Sequence, residues 1–442
     1  MRGRPPLVRA AAAGLAGMVL ALAGCSGPST EHRTSPSTTS SAATRQNAPD
    51  PTTGREEALA ALLRARATAV LHRDRDAFAA SLDSRTSGFG LRQLAMFDAL
   101  AKLPLGTFSY GTPEPAPALG AQRAAQVGPG AWVSRVAGHY SLAGFDTAER
   151  DFESYFTLVH RADGWRLADD TDGGTQPQVW DLPRLSVLRG PTVLVVGTGP
   201  ASRLRPYLQL GSLAVDRVSS VWTAKWNHRL VLVVPGTSAQ MAEQLGQSES
   251  DVEQVAAVTD GPFDPDGRAG ADRVVVNPGA FAKLQERGKQ VVVAHEATHV
   301  AVRAGTDRPV PLWLSEGMAD YVGYQHVGAT RQQVAAALLD RVRKGKGPSA
   351  LPSAGDFDPG RTTIAPSYNA AWLAVCHLVD RWGQDALVRL YLAAATKASP
   401  SDQPGDPDAN TAAAFESVLH TSEAAFTKAW LAYLRQLAGA GT

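Results

Sequence analysis

The sequence predicts an α+β protein with two folded domains. In the first domain, residues 55–185, helical periodicity comes first and alternating strand patterns follow it. In the second domain, residues 190–442, short β-branched runs alternate with helical patterns, and the chain closes with helices. Apolar residues make up 44% of the chain, which is enough for two cores. We therefore expect an antiparallel sheet in the first domain, then a mixed sheet and an all-α lobe in the second.

The N-terminus predicts export. In residues 1–24, three arginines precede an apolar run that is too short to span a bilayer, which is typical of a signal peptide. The run ends in Leu22-Ala23-Gly24-Cys25, which resembles the lipobox of bacterial lipoproteins. That resemblance implies that Cys25 carries lipid such as palmitate and anchors the protein to the cell membrane, facing outside. Plain secretion after cleavage is the alternative. Residues 25–54 are rich in Ser, Thr and Pro and predict a flexible tether.

Charge and cysteine content exclude other classes of function. The chain has 43 basic and 42 acidic residues, so no nucleic-acid partner is expected. Cys376 is the one cysteine besides Cys25, and we expect no disulfide. Cys376 also lies among apolar neighbours in a helical segment, which argues against a cysteine protease.

The elements of the first domain can be placed in order. Helices are expected over 56–80 and 91–103, and strands follow near 132–142, 152–159 and 165–167. This order resembles the nuclear-transport-factor-like cone fold, whose members bind a ligand, hold a partner or space other domains. We expect His139 and His160 to be structural or exposed rather than catalytic, because no matched acid or nucleophile accompanies them.

The second domain is predicted from the same periodicities. Its expected strands are 192–196, 229–234, 255–259 and 273–277, and its expected helices are 204–222, 238–245, 331–343, 367–382, 384–395 and 411–435.

The most informative stretch of this domain is His295-Glu296-Ala297-Thr298-His299. Residues four apart share one face of a helix, so both imidazoles can reach one metal ion with Glu296 beside them. A catalytic zinc takes three protein ligands, and Glu316 in the next helical segment is the candidate for the third. Asp320, one turn later, is placed to accept the free N–H of a ligating histidine. The pattern predicts a Zn2+ site.

The words HEATHV and WLSEGMADY resemble the gluzincin metallopeptidases, zincins whose third zinc ligand is a glutamate. The resemblance implies that His295, His299 and Glu316 hold zinc, that Glu296 is the general base and that Asp320 supports a ligand. It also implies a zincin-like fold and a peptide or protein substrate.

The sequence leaves alternatives for a residue near the zinc water, for the strand at 273–277 and for the function. Gluzincin-like proteins often place a Tyr or His of a later helix near the zinc water. Tyr368 is the candidate and His377 the runner-up, with a merely packed tyrosine as the alternative. Residues 273–277 form either the edge strand that receives extended substrate or an interior strand. The expected function is a membrane-anchored zinc peptidase, and the alternative is an anchored binding protein on a zinc-stabilised scaffold.

Overall fold

A computed structural model describes residues 54–85, 87–262, 269–358, 363–396 and 406–439. The predicted signal peptide, Cys25 and all of the tether but Gly54 lie outside the described residues. The chain is α+β, as expected. Among the described residues, no helix is both long and apolar enough to cross a membrane.

The N-terminal domain has three helices followed by a four-stranded antiparallel sheet, whose strands pair in chain order. A fourth helix lies between the first two strands. In chain order the elements are α1 (Arg55–His72), α2 (Arg75–Ala79), α3 (Gly88–Leu100), β1 (Leu105–Pro115), α4 (Ala121–Val127), β2 (Trp132–Leu142), β3 (Arg150–Arg161) and β4 (Gly164–Asp169).

The first predicted helix, 56–80, is two helices in the structure. Arg73 has a left-handed backbone with φ of 58°, which ends α1. The Asp74 side chain then accepts a hydrogen bond from the Ala77 N–H at 2.9 Å and caps α2. Capping satisfies an N–H group that a new helix leaves unpaired, and it favours a break at this point.

The C-terminal domain holds the second sheet, whose first strand starts at Leu185. Its elements are β5 (Leu185–Arg189), β6 (Val193–Thr198), α5 (Ala201–Val221), β7 (Leu230–Val234), α6 (Ser238–Leu245), α7 (Glu249–Val252), β8 (Ala257–Asp260), β9 (Arg273–Val276), α8 (Pro278–Ala282), α9 (Glu286–Gly305), α10 (Leu312–Gly323), α11 (Arg331–Val334), α12 (Ala336–Arg343), α13 (Ala365–Trp382), α14 (Gln384–Ala395), α15 (Pro407–Leu419) and α16 (Glu423–Gly439).

Two predicted helices of the closing lobe are divided. The segment 331–343 forms α11 and α12, which meet at Ala335, and the segment 411–435 forms α15 and α16. His420 has φ of 53°, a left-handed conformation that ends α15. After β9 the described residues contain helices but no strand, so the expected all-α lobe is confirmed.

The second sheet has the strand order β5-β6-β7-β9-β8. Strands β6, β7 and β9 are parallel, whereas β5 and β8 are antiparallel to their neighbours and lie at the two edges. The sheet is mixed, as expected. Residues 273–277 contain β9, which is an interior strand, and the edge strand nearest to α9 is β8.

Both faces of this sheet are buried. Alternate residues of a strand point to opposite faces. On one face, Val193 and Val195 of β6 pack with α5 and α9. On the other face, Leu194 and Val196 pack with the N-terminal domain, including Trp180. The N-terminal domain therefore covers the face of the sheet opposite to α9. The stretch joining the domains is packed as well, because Val179, Trp180, Leu182 and Leu185 are all buried.

Candidate metal centre

Helix α9 carries the His-Glu-His motif at the centre of the C-terminal domain. Its middle turns are buried because Val292, Val293 and Ala297 belong to the apolar core that α9 shares with the sheet. The spacing of four residues places His295 and His299 on one face, with ring centroids 4.9 Å apart. Local helical geometry alone therefore brings the two imidazoles together, as the sequence predicts.

Helix α10 brings the third member of the group. Glu316 lies beside Gly317, where a Cβ atom would stand 2.6 Å from the carbonyl oxygen of Ala371 in α13. Only glycine allows α10 and α13 to approach so closely. The same packing turns Glu316 toward α9, so the close approach at Gly317 helps to fix where its carboxylate lies.

Three potential ligand atoms converge. The Nε2 atoms of His295 and His299 are 3.1 Å apart, and Oε2 of Glu316 lies 3.2 Å from the first and 3.7 Å from the second. All three residues are buried, and their ligand atoms lie within 4.8 Å of one another. The structure thus brings together the three residues that the sequence predicts as metal ligands.

Asp320 lies behind the first histidine. Its Oδ1 atom is 2.9 Å from Nδ1 of His295. The carboxylate can only accept, so Nδ1 donates and Nε2 is the nitrogen that faces Glu316 and His299. The structure places Asp320 where the predicted orienting role requires it, and such a bond fixes the tautomer of a histidine.

The donor set fits a cation. Two imidazole nitrogens only 3.1 Å apart repel unless a proton or a cation lies between them. Oε2 of Glu316 faces both imidazole nitrogens, whereas its Oε1 is buried and has no hydrogen-bond partner within the described residues. Unpaired buried carboxylate oxygens are costly, and a cation would satisfy them. Two imidazoles and one carboxylate form a ligand set that zinc accepts.

Burial and charge shift the pKa values of the group. Burial raises the pKa of Glu296 to about 7, and the nearby histidines lower it less than burial raises it. Burial also opposes ionisation of Glu316, but attraction to His299 and His295 prevails and lowers its pKa to about 2. Burial disfavours the charged form of His295, yet Asp320 and Glu316 hold its pKa well above the usual value. A cation must therefore displace a proton here, which makes binding weaker in acid.

Glu296 stands apart from the three candidate ligands. Its Oε2 atom accepts a hydrogen bond from the Thr259 hydroxyl at 2.8 Å. Its Oε1 atom is buried and has no hydrogen-bond partner in the part of the chain that the structure describes. A carboxyl with a pKa near 7 and one unpaired oxygen can take up and release a proton at neutral pH.

The two aromatic candidates of α13 lie in different places. The Tyr368 ring is buried, with its centroid 6.4 Å from that of His295 and 5.2 Å from that of Phe357. The His377 ring instead stacks on Tyr433 of α16 at 5.0 Å. Of the two residues, the structure brings Tyr368 to the metal-centre residues and turns His377 toward α16.

Thr259 is the residue at this site that the sequence does not predict. It lies on β8, 37 positions before Glu296, and its hydroxyl is also 3.0 Å from the Glu296 backbone oxygen. No local pattern around Thr259 indicates this contact. The available signal is indirect: a polar residue in a strand whose other residues are mostly apolar.

Comparison with known proteins adds no family. Neither the models of known protein families nor the curated proteins gave a match to the sequence.

Proposed function

We propose that the protein is a zinc-dependent peptidase, anchored outside the cell membrane through lipid on Cys25. The observation that carries the proposal is the convergence of His295, His299 and Glu316, with the separate carboxylate of Glu296 beside them. A structural zinc site uses four protein ligands, whereas a catalytic site uses three and keeps one position open. Among the described residues the group has three members. This number favours catalysis.

The chain's own residues have distinct tasks in this proposal. His295, His299 and Glu316 would hold Zn2+, and Asp320 would orient His295. Bound zinc lowers the pKa of a water molecule and polarises a carbonyl group. Glu296 takes a proton at Oε1 from the attacking water and delivers it to the departing amine. Tyr368 is the candidate donor to the oxyanion, since its ring lies beside His295.

A peptide or protein substrate suits the neighbouring strand. Strand β8 lies at the edge of the sheet and carries Thr259, which contacts Glu296. An edge strand can pair with the main chain of an extended peptide of any sequence. His295, Glu296 and Glu316 are each no more than 1% exposed. Turnover therefore requires a more open arrangement than the one described.

The alternative is an anchored binding protein with a zinc-stabilised scaffold. Burial of the whole group is the observation that favours it, because a catalytic zinc keeps a position that water and substrate must reach. The two proposals differ at Glu296, which a scaffold does not need.

Two variants separate the proposals. Glu296→Gln leaves the ligands intact, so zinc should stay near one per chain while peptide turnover falls by about 100-fold or more. Glu316→Ala should lose zinc and turnover together. Zinc analysis and cleavage of a quenched-fluorescent peptide library measure both. Glu286→Gln, an exposed change on α9, is the matched control and should change neither. Equal turnover in Glu296→Gln and the parent would leave the scaffold as the better proposal.

The anchor has its own test. Cys25→Ser removes the proposed site of lipid attachment, so the protein should leave the membrane fraction or accumulate as an unprocessed precursor. A processed Cys25→Ser chain that still sediments with membranes would contradict lipid anchoring.

A further inference from the structure

Strand β8 contacts the proposed base, Glu296, through the side chain of Thr259. The Thr259 side chain is nearly inaccessible to solvent, and its hydroxyl lies 2.8 Å from Oε2 of Glu296. A hydroxyl has one proton, and an ionised carboxylate is a stronger acceptor than a backbone carbonyl. Thr259 therefore holds Oε2 of Glu296, and Oε1 has no hydrogen-bond partner among the described residues.

The N-terminal domain holds the same strand at the next residue. The Arg150 guanidinium, at the start of β3, forms an ion pair with the Asp260 carboxylate. It also donates to the backbone oxygens of Asp260 at 3.2 Å and Ala271 at 3.3 Å. Both side chains of the ion pair are mostly buried. Nearby, the Thr147 N–H donates to the Gly270 oxygen at 2.8 Å.

We propose that Thr259 is a positioning residue for Glu296, and that Arg150 makes the N-terminal domain part of this arrangement by fixing β8. The inference rests on the proposed peptidase function, because it concerns the orientation of the general base. It gives the N-terminal domain a task in the reaction that does not require a ligand of its own.

The physical reason is the freedom of a glutamate side chain. The terminal torsion of glutamate is broad, so a carboxylate without a partner samples many orientations. Proton transfer needs the accepting oxygen within hydrogen-bond reach of the water. One bond to Oε2 restricts that torsion. Displacements of about 1 Å at a reacting group lower rates by up to about 100-fold. Fixing β8 therefore contributes to orienting the Glu296 carboxylate as well as to packing.

The first test changes the hydroxyl without changing the shape of the side chain. Thr259→Val removes the donor, and Thr259→Ser keeps it. In the zinc-loaded full-length protein, with the best-cleaved member of a quenched-fluorescent peptide library as the probe, Thr259→Val should lower kcat by about tenfold, the scale of one hydrogen bond. KM and zinc content should stay at the parental values. Thr259→Ser should stay within about twofold of the parent. A purely structural contact would not produce this split between kcat and KM.

The second test concerns Arg150 and has a readout besides activity. Arg150→Met should speed hydrogen exchange of the β8 amides, 257–260, by about tenfold or more, because local opening becomes easier. It should also lower kcat. Arg161→Met breaks an ion pair with Asp83 elsewhere in the same domain and should change neither quantity.

The outcomes are distinct. Parental kcat in Thr259→Val, while Glu296→Gln is inactive, would overturn the positioning role and leave the proposed peptidase intact. If the hydrogen exchange of the β8 amides is unchanged in Arg150→Met, the proposed role of the N-terminal domain in fixing β8 is overturned. Equal cleavage by the parent and Glu296→Gln would overturn the proposed function, and the positioning role with it.

Discussion

Two groups of buried charges in this protein are built differently. At the domain interface, both oxygens of Asp146 accept hydrogen bonds from Arg273 at 2.7 Å, and one also accepts the Leu142 N–H. At the candidate metal centre, Oε2 of Glu316 faces the imidazole nitrogens of His295 and His299, and its Oε1 accepts no hydrogen bond from any described residue. Glu296 has a hydrogen-bond partner on one oxygen alone. Both groups are almost fully inaccessible to solvent.

The difference indicates what each group is for. A buried carboxylate is tolerated when donors satisfy it, as Arg273 does for Asp146. A buried carboxylate oxygen without a hydrogen-bond donor lowers stability. We infer that the interface pair contributes to the fold, whereas the buried donors of the candidate metal centre suit a cation. The following changes test that contrast, from the largest expected effect to the smallest.

Breaking the interface pair should cost the most stability. Asp146→Ala leaves Arg273 charged, buried and without its carboxylate, which should lower the free energy of unfolding by about 3 to 5 kcal/mol. Chemical denaturation of the two proteins measures this. Asp83→Ala removes the partner of the half-exposed Arg161 and should cost less than about 1 kcal/mol. Similar losses in both variants would remove the distinction between buried and surface pairs here.

Zinc should stabilise the folded protein through the candidate metal centre and not through the Asp146–Arg273 pair. At about 1,000 times the dissociation constant, zinc should raise the free energy of unfolding of the metal-free protein by about 4 kcal/mol. Glu316→Ala should abolish this gain because the third donor is lost. Asp146→Ala should keep the gain, since that carboxylate lies outside the candidate ligand group. Thermal denaturation with and without zinc is the measurement. A gain that survives in Glu316→Ala would place the third ligand elsewhere.

The Glu296 carboxyl should give the protein's stability a pH dependence of its own. Glu296 has a raised pKa of about 7 in the folded protein, against an ordinary value of 4.5. Its contribution to stability is therefore fully present below about pH 4.5 and is lost as the pH rises through about 7. In metal-free protein, Glu296→Gln should gain on the parent by roughly 3 kcal/mol between about pH 4.5 and about pH 8. Denaturation at both pH values with a chelator measures the gain. Parallel pH profiles would contradict the raised pKa.

The smallest effect is expected from changing Asp320, the hydrogen-bond partner of His295. Asp320→Asn weakens the bond that orients His295, so zinc affinity should fall by roughly 10 to 100-fold. Competition with a chromophoric chelator measures the affinity. Asp380→Asn, an exposed carboxylate paired with Arg331, is the control and should leave zinc affinity unchanged. Parental affinity in Asp320→Asn would mean that packing alone orients His295.

Local patterns predicted much of the fold. The long helices, the strands near 192–196 and 229–234, and the spacing of His295 and His299 all follow from periodicity over a few residues. Local patterns do not indicate the breaks within helices or the strands with weak alternation. β1, Leu105–Pro115, contains glycine and two prolines and lacks a clear alternating pattern, yet it pairs with β2 along its length. Pairing with a neighbouring strand supplies what its own sequence does not.

The sequence by itself determined that His295 and His299 lie together, because a helix places residues four apart on one face whatever surrounds it. It also indicated Glu316 as the third candidate ligand and Glu296 as the candidate base. It also determined the α+β class, since periodicity separates helices from strands. Tertiary structure alone decided that β8 is the edge strand, that Thr259 meets Glu296 across 37 positions, and that Arg150 reaches Asp260 from the other domain. These contacts depend on sheet order and domain packing, which bring distant residues together and leave no periodic trace in the chain.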